Sequence, residues 1–390
     1  MLVKASPLSE APDRAGLANL VAELLTEGTK RRKAFDISEE IEFIGASLNV
    51  SAGNDFTTIT LSVLKKDIEK GFDVFSDILL NPTFPDEEIT RKKDLIKGSL
   101  KQSEEDPSFI AGKTFKKTIY GDLPYGRLIR GSIETIDAIK REDILKFHSD
   151  YYRPNNSIIS IVGDITDNEV SSLIGRFLAR WEPSEIPTRS SMPEPEKERK
   201  EIIIDRDITQ SNIVIGHVGI SRENPDYYAV SVMNYILGGG GFSSRLMQTI
   251  RDEMGLAYDV HSFFQAYKEG GLFEVGVQTK NESASAVISE VLRQVDRIRK
   301  ETVTDQELDD AKAYLTGSFP RRLDTSRKIA DFLVAVEFYG LGLDYVEKYP
   351  QYINAVTKDD VLRVAKKYLD PERLVTVLVG RQSKAEKQKK

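Results

Sequence analysis

The sequence contains no cysteine, which excludes disulfide bonds and thiolate metal sites. It has only three histidines, His148, His217 and His261, which belong to different predicted elements and lack the spacing of a shared metal site. No apolar run approaches the roughly 18 residues that cross a membrane, and no secretory signal is visible. A net charge of −7 argues against a general nucleic-acid binder, because such proteins are normally basic.

What the chain does contain is enough apolar material for a sizeable core. Its 390 residues, 40 % hydrophobic and 30 % charged, are typical of a soluble globular protein of two or three domains. An internal repeat favours two domains. Residues 136–163 align without a gap on 353–380, and residues 86–121 align in the same way on 305–340. The predicted fold is therefore α+β, with two tandem homologous domains, each a mostly antiparallel sheet with helices on one face.

The predicted boundaries follow from this repeat and from one polar segment. Residues 182–200, EPSEIPTRSSMPEPEKERK, are rich in proline, serine and charge, which is typical of an exposed linker. The N-terminal domain is predicted over residues 1–181 and the C-terminal domain over residues 201–380. Residues 381–390 form a basic tail that we expect to be frayed.

The most distinctive stretch begins with four consecutive glycines, Gly238–Gly241. No Gly-Lys-Ser/Thr follows them and no G-x-G-x-x-G spacing fits, so neither a P-loop nor a dinucleotide fingerprint is present. Such a run is more often a turn than a ligand cradle. A helix follows, and Ser243 or Ser244 can cap it with a side-chain oxygen.

That helix and the strands after it show clear periodicity. One buried stripe is predicted from the recurrence of Leu246, Ile250 and Met254. Gly255 then marks the end of the helix. A strand follows in which one face is formed by Tyr258, Val260, Ser262 and Phe264. A turn at residues 268–271 leads into a partner strand at residues 272–279, so the segment is predicted to form a β-hairpin.

Five short segments of this stretch resemble the second half of the pitrilysin-like (M16) zinc peptidases, the family with an inverted H-x-x-E-H zinc motif. They are Pro225–Tyr228, Asn234–Gly239, Ser244–Leu246, Ile250–Arg251 and Gly255–Tyr258. In that family an arginine and a tyrosine seven residues apart bind the substrate backbone. The resemblance implies substrate-binding roles for Arg251 and Tyr258, together with the loop glycines Gly238, Gly239, Gly240 and Gly241.

The N-terminal half departs from the family at every zinc position. Active members have G-x-A-H-x-x-E-H in a helix, and the matching helix here, residues 16–29, has Asn19, Ala22 and Glu23 at the histidine, glutamate and histidine positions. The third ligand, a glutamate, falls on Gly98 or Ser99. A catalytic zinc site needs three protein ligands and a water. The resemblance therefore implies no catalytic residue and no metal in this chain.

These observations lead to the hypothesis of a non-catalytic subunit of a heterodimeric zinc metallopeptidase. It would bind unfolded or extended peptides and complete the active site of a homologous partner that carries H-x-x-E-H and Zn²⁺. The resemblance also implies that the two halves face one another and that two such chains close a chamber. Two alternatives stay open: a structural or assembly subunit derived from a peptidase, and a self-sufficient metallopeptidase with an unconventional site.

The first residues bear on the compartment. Met1 to Ala5 have the pattern of the tail of a strand, whereas members of the family usually carry an opening strand pair ahead of this point. A trimmed or processed N-terminus is therefore expected. A removed signal peptide is compatible with this pattern, so the compartment stays open between periplasm and cytoplasm.

Overall fold

The computed structural model describes residues 1–189, 191–195 and 198–381. The strands are β1 (Leu2–Val3), β2 (Ser47–Ala52), β3 (Thr57–Ser62), β4 (Ser157–Ile158), β5 (Lys200–Asp205), β6 (Gln210–Val218), β7 (Ala257–Ala266), β8 (Gly271–Lys280) and β9 (Val375–Gly380). The helices of the first half are α1 (Leu17–Leu24), α2 (Ala34–Phe43), α3 (Ile68–Leu80), α4 (Asp86–Ser103), α5 (Pro107–Tyr120), α6 (Ile133–Ala138), α7 (Arg141–Tyr151) and α8 (Asp167–Phe177). Those of the second half are α9 (Tyr227–Asn234), α10 (Ala284–Lys300), α11 (Asp305–Ser318), α12 (Ser326–Phe338), α13 (Tyr345–Asn354) and α14 (Lys358–Tyr368).

The chain forms two compact units, and each is discontinuous in sequence. The first unit consists of Met1–Gln102, Arg127–Ser191 and Arg322–Leu343, and the second of Ser103–Gly126, Met192–Arg321 and the chain from Asp344 onward. Each unit thus contains a helix from the other half of the sequence: α5 belongs to the second unit and α12 to the first. The boundaries of the homologous halves at residues 182–200 stay a prediction. Most of the predicted basic tail, residues 382–390, lies outside the described residues.

The first unit contains an antiparallel sheet of four strands in the order β2-β3-β1-β4. Helix α1 is the most deeply buried helix near it, because seven of its eight residues are buried. The side chains of Leu20, Leu24 and Leu25 are fully buried in a cluster with residues of α3 and the sheet. The predicted helix over residues 16–29 ends at Leu24, earlier than expected, since Gly28 and Thr29 instead make isolated β-bridges.

The second unit contains five strands in the order β5-β9-β6-β8-β7. All neighbours in this sheet are antiparallel except β5 and β9. Helix α5 packs against this sheet at Gly216, where an added Cβ would lie 2.8 Å from the ring of Phe115 and 1.9 Å from the carbonyl oxygen of Phe273. Only glycine allows helix and strand to approach so closely. The predicted hairpin is confirmed as β7 and β8, with Tyr267 N donating to Gly270 O at the turn.

The two copies of the repeat differ in their last strand. Both contain a helix, α7 or α14, and a turn at Pro154 or Pro371. In the second copy the predicted strand is present as β9, which is six residues long. In the first copy the strand was predicted to continue to Gly163, but β4 ends at Ile158. The physical reason is pairing, because β9 has a neighbour on each side while β4 pairs only with the two residues of β1.

The α+β class with two mostly antiparallel domains is confirmed. Among the described residues, no helix combines the length and the apolar character that crossing a bilayer requires.

Candidate functional site

The glycine loop is anchored to β7 by close packing. Helix α9 continues as a widened turn, Tyr235–Gly239, whose Gly238 is buried. A Cβ at Gly238 would lie 2.7 Å from both Ser262 N and a methyl group of Leu246, so no larger residue fits. Asn234 secures the same contact, since its amide exchanges two hydrogen bonds with Ser262, of 2.8 and 3.1 Å.

Local packing or conformation also explains why glycine occupies the other positions of the loop. A Cβ at Gly239 would lie 2.7 Å from Asn234 Nδ2, and one at Gly240 would lie 2.8 Å from Tyr235 O. Gly241 has a φ of +58° and open space around it, so it supplies a left-handed turn. Packing and conformation account for these glycines, and their predicted role in binding substrate stays a prediction.

Two details of the following helix were predicted wrongly. The hydroxyls of Ser243 and Ser244 do not cap it, because they donate to the carbonyl oxygens of Gly240 and Gly241. The stripe ends at Ile250, since Met254 is 42 % exposed. The cause is a π-helical segment, Met247–Glu253, whose i→i+5 hydrogen bonds change the period on which the prediction relied.

A β-bulge turns Tyr258 outward. Ala257 pairs with Thr279 and Val260 with Val277, so β7 contains one extra residue at this point. Tyr258 is therefore 86 % exposed, although the predicted alternation placed it on the same face as the buried Val260. Bulges commonly re-aim a side chain in this way.

The structure brings Arg251 and Tyr258 together and adds Phe242, which the sequence analysis missed. The guanidinium carbon of Arg251 lies 4.4 Å from the ring centroid of Phe242 and 5.2 Å from that of Tyr258. Within the described part of the chain, the only carboxylate within 4 Å of Arg251 is that of Asp252, and its 3.9 Å distance is too long for a hydrogen bond. The N–H groups of Arg251 thus remain available to a ligand.

The stability of the isolated chain does not explain these exposed rings. Burying a phenylalanine side chain contributes about 1.5–3 kcal/mol, whereas a cation–π contact at an exposed site contributes about 0.5–1 kcal/mol. Phe242 is 68 % exposed, so it forgoes the larger contribution. A bulky ring at a glycine loop, where little chain is present to cover it, was the signal that could have indicated Phe242.

A second arginine of the same helix has the opposite environment. Arg245 is buried, and its Nε and Nη2 donate to the two carboxylate oxygens of Glu307 at 2.6 and 2.9 Å. Glu307 also accepts from the backbone N–H of Thr304 and so closes the N-terminal capping box of α11. Arg245 therefore joins two helices, while the half-buried Arg251 contacts the two exposed rings of Phe242 and Tyr258.

A groove of ≈ 590 Å³ opens beside Tyr258, within the second unit. It is lined by β6, β7, β8 and the start of α5, and β7 is the outer strand of its sheet. His261 lies in this groove with its Nδ1 2.8 Å from a carboxylate oxygen of Asp259. Burial raises the pKa of Glu274, against the opposing effect of Lys116 and His261. The arrangement offers hydrogen-bonding groups and a free strand edge to an extended chain.

The predicted zinc-motif positions of the first unit form contacts of a different kind. Asn19 Nδ2 donates to Glu23 Oε1 at 2.9 Å within α1, and Ala22 is fully buried. Ser99 accepts a hydrogen bond from the guanidinium of Arg130. An amide, a hydroxyl bonded to a cation and one carboxylate do not fit the donor set of a zinc site. Among the described residues, no group of three or more histidine, aspartate or glutamate side chains is placed to hold a metal.

Helix α1 is held instead by a carboxylate that the sequence analysis did not single out. Glu10 accepts hydrogen bonds from the backbone N–H groups of Gly16 and Ala18, at 3.1 and 2.6 Å, at the start of the helix. Burial raises the pKa of Glu10 to about 7, although these two bonds and Arg127 act in the opposite direction. Burial also lowers the pKa of both His148 and His217 to about 4.

The fold is that of a two-domain protein of the pitrilysin type. Arg251 and Tyr258 lie together in its second unit, and the predicted zinc-motif positions lack the donor set of a zinc site. Comparison with known families agrees: residues 1–132 match the model described as "Insulinase (Peptidase family M16)" and residues 138–315 match "Peptidase M16 inactive domain". The chain belongs to the M16 peptidase family, as a member without the catalytic zinc motif.

Some of the similar proteins are named as zinc proteases and others as inactive or non-peptidase members. An "Uncharacterized zinc protease" of Streptomyces coelicolor is 26 % identical over 92 % of this chain and 80 % of its own length. The "Non-peptidase homolog YmxG" of Helicobacter pylori is 26 % identical over 95 % of this chain and 86 % of its own length. A solved "peptidase M16 inactive domain" from Pseudomonas fluorescens superposes with a TM-score of 0.91 at 28 % identity, covering 98 % of this chain and 92 % of that one.

Proposed function

We propose that this chain is the non-catalytic subunit of a two-chain zinc metallopeptidase, and that it binds extended peptide and completes the active site of a partner with an intact H-x-x-E-H motif. One observation carries the proposal. Arg251 and Tyr258 lie together, Tyr258 is exposed, and among the described residues no carboxylate lies within hydrogen-bond distance of Arg251. The predicted zinc-motif positions of the same chain instead make hydrogen bonds within the fold.

The chemistry of the pair suits a peptide carbonyl. Arginine presents N–H donors in a fixed planar fork, and tyrosine adds a phenolic O–H. Donors of this kind stabilise the negative charge that develops on a carbonyl oxygen when a peptide bond is attacked. The free edge of β7, beside Tyr258, can hold the substrate as an added strand.

The test is reconstitution with a homologous chain that contains H-x-x-E-H, sought first in the adjacent reading frame. Fluorescein-labelled casein serves as an unfolded substrate. We expect no chelator-sensitive cleavage by this chain alone, cleavage by the mixture, and no stoichiometric zinc in this chain after dialysis. Robust cleavage by the isolated chain, or one tightly held zinc ion in it, would favour the self-sufficient metallopeptidase. A partner that forms a stable complex with this chain but cleaves equally well without it would favour the structural subunit.

A further inference from the structure

Phe242 lies in the glycine loop next to Arg251, and the proposed function assigns it no role. It follows Gly241, which has a φ of +58°, and its side chain is 68 % exposed. Its ring centroid lies 4.4 Å from the guanidinium carbon of Arg251, closer than the ring of Tyr258 at 5.2 Å. The two rings lie on different elements, and both contact the guanidinium of Arg251.

A ring orients an arginine without occupying its donors. Arg245 illustrates the alternative, since its Nε and Nη2 are both engaged by the carboxylate of Glu307. An aromatic ring attracts the cation through its π-face, whereas the N–H groups point outward from the edge of the planar guanidinium. Arg251 is thus restricted in direction while its hydrogen-bonding capacity is kept for a ligand.

We propose that Phe242 is a positioning residue, which holds the Arg251 guanidinium in the direction needed to meet a peptide carbonyl oxygen. This inference rests on the proposed function, because it deepens the description of the same site. Phe242 acts through Arg251 and needs no contact of its own with the peptide. Its loss should therefore affect the reaction step more than substrate affinity.

The first experiment tests the contact in the isolated chain by NMR. Phe242→Leu removes the ring and keeps apolar bulk, Phe242→Tyr keeps a ring, and Phe43→Leu is the control, because Phe43 is an 85 % exposed phenylalanine of the first unit. The Arg251 Nε–H resonance is assigned by its loss in Arg251→Lys. We expect Phe242→Leu to shift it by removing the ring current, and Phe242→Tyr and Phe43→Leu to leave it near the wild-type position. An unshifted resonance in Phe242→Leu would overturn the proposal.

The second experiment measures kcat and KM of the reconstituted complex with the same variants. We expect kcat to fall about two- to fivefold in Phe242→Leu, as befits a cation–π contact at an exposed site, with KM unchanged and with recovery in Phe242→Tyr. A change confined to KM, or an equal loss in both variants, would overturn the positioning role.

The failure of each proposal has its own signature. Absence of cleavage by the wild-type complex contradicts the proposed function. An active wild-type complex that Phe242→Leu leaves unchanged contradicts only the role of Phe242.

Discussion

Helix α1 and the surface around Arg251 both contain predicted positions of a family motif, but their polar groups have opposite environments. In α1 the amide of Asn19 bonds Glu23, and seven of the eight helix residues are buried. Around Arg251 the cation contacts two exposed rings, and Tyr258 is held outward by a β-bulge. The first region has become part of a core, whereas the second still presents donors to solvent.

This difference gives a physical criterion for which of the motif residues still act on a ligand. A polar group whose hydrogen bonds are satisfied within the fold has little to offer a ligand. Arg245 and Arg251 show the same contrast within one helical segment, since Arg245 is buried against Glu307 and Arg251 has no carboxylate within hydrogen-bond distance among the described residues. Substitutions in the two regions should therefore separate stability from activity.

The largest expected effect belongs to the Arg251 and Tyr258 pair. In the reconstituted complex, Tyr258→Phe removes one donor and keeps the ring, and we expect kcat to fall by about 10²–10³, as for other oxyanion donors. Arg251→Ala should be at least as damaging, and Arg251→Lys should recover little, because an ammonium does not reproduce the planar fork. The measurements are kcat, KM and the melting temperature of each variant.

The control for the loss of a surface cation is Arg297→Ala, since Arg297 pairs with Glu301 near the end of α10. It should leave kcat and KM unchanged. A raised KM with unchanged kcat in the Arg251 or Tyr258 variants would mean uniform binding of substrate rather than stabilisation of the transition state. Unchanged kinetics with a large fall in melting temperature would assign the pair a structural role.

The second prediction is that, for the stability of the fold, Arg245 matters more than Arg251. Arg245→Met leaves the carboxylate of Glu307 without its bidentate partner, and we expect a loss of about 2–3 kcal/mol in the free energy of unfolding. Arg251→Met removes no hydrogen-bonded ion pair among the described residues, only cation–π contacts at an exposed site, and should change it by no more than about 1 kcal/mol. Urea unfolding of both variants gives the two values. Equal losses would show that Arg251 also contributes to the fold.

The fold was accessible from the sequence because its main signals are local and periodic. The helices of both repeat copies, the β7–β8 hairpin and the stop at Gly255 all follow from hydrophobic period and turn residues. The strand predicted up to Gly163 was wrong, because a strand requires a neighbour to pair with and β1 is only two residues long. Likewise, periodicity contains no information on which unit takes α5 or α12.

Arg251 and Tyr258 were predicted as site residues from the sequence, and the structure places them together in a geometry that the sequence did not indicate. The π-helical segment exposed Met254, and the bulge moved Tyr258 to the outer face. Each departs from the regular period of its element, which any alternation-based prediction assumes. The pairing of Arg245 with Glu307 joins residues 62 apart, so no local pattern could have indicated it.

The third prediction concerns the buried region, through the pH dependence that Glu10 brings to α1. Its pKa is raised from 4.5 to about 7 in the folded chain, mainly by burial. The folded state therefore binds this proton more tightly, so the contribution is fully present below pH 4.5 and is lost as pH rises through 7. Integrated over that window the effect is about 3 kcal/mol.

The measurement compares urea unfolding of the wild type and Glu10→Gln from pH 4.5 to pH 8. Stability of the wild type relative to the variant should decline as pH rises. The comparison with the variant is needed because His148 and His217, whose pKa values are lowered to about 4, contribute in the opposite direction as pH falls below 6.5. A constant difference across the range would show that Glu10 titrates normally.

The smallest expected effect is at the predicted zinc-motif positions, and it is the sharpest check on the comparison. Glu23→Gln keeps a carbonyl oxygen that can accept the 2.9 Å hydrogen bond from Asn19, so neither stability nor the activity of the reconstituted complex should change measurably. Glu23→Ala removes that acceptor from the largely buried Asn19 amide and should cost about 1 kcal/mol of unfolding free energy, again with kcat unchanged. If Glu23→Gln instead abolished cleavage at an unchanged melting temperature, the carboxylate would take part in the chemistry. Helix α1 would then contribute to the active site together with Arg251.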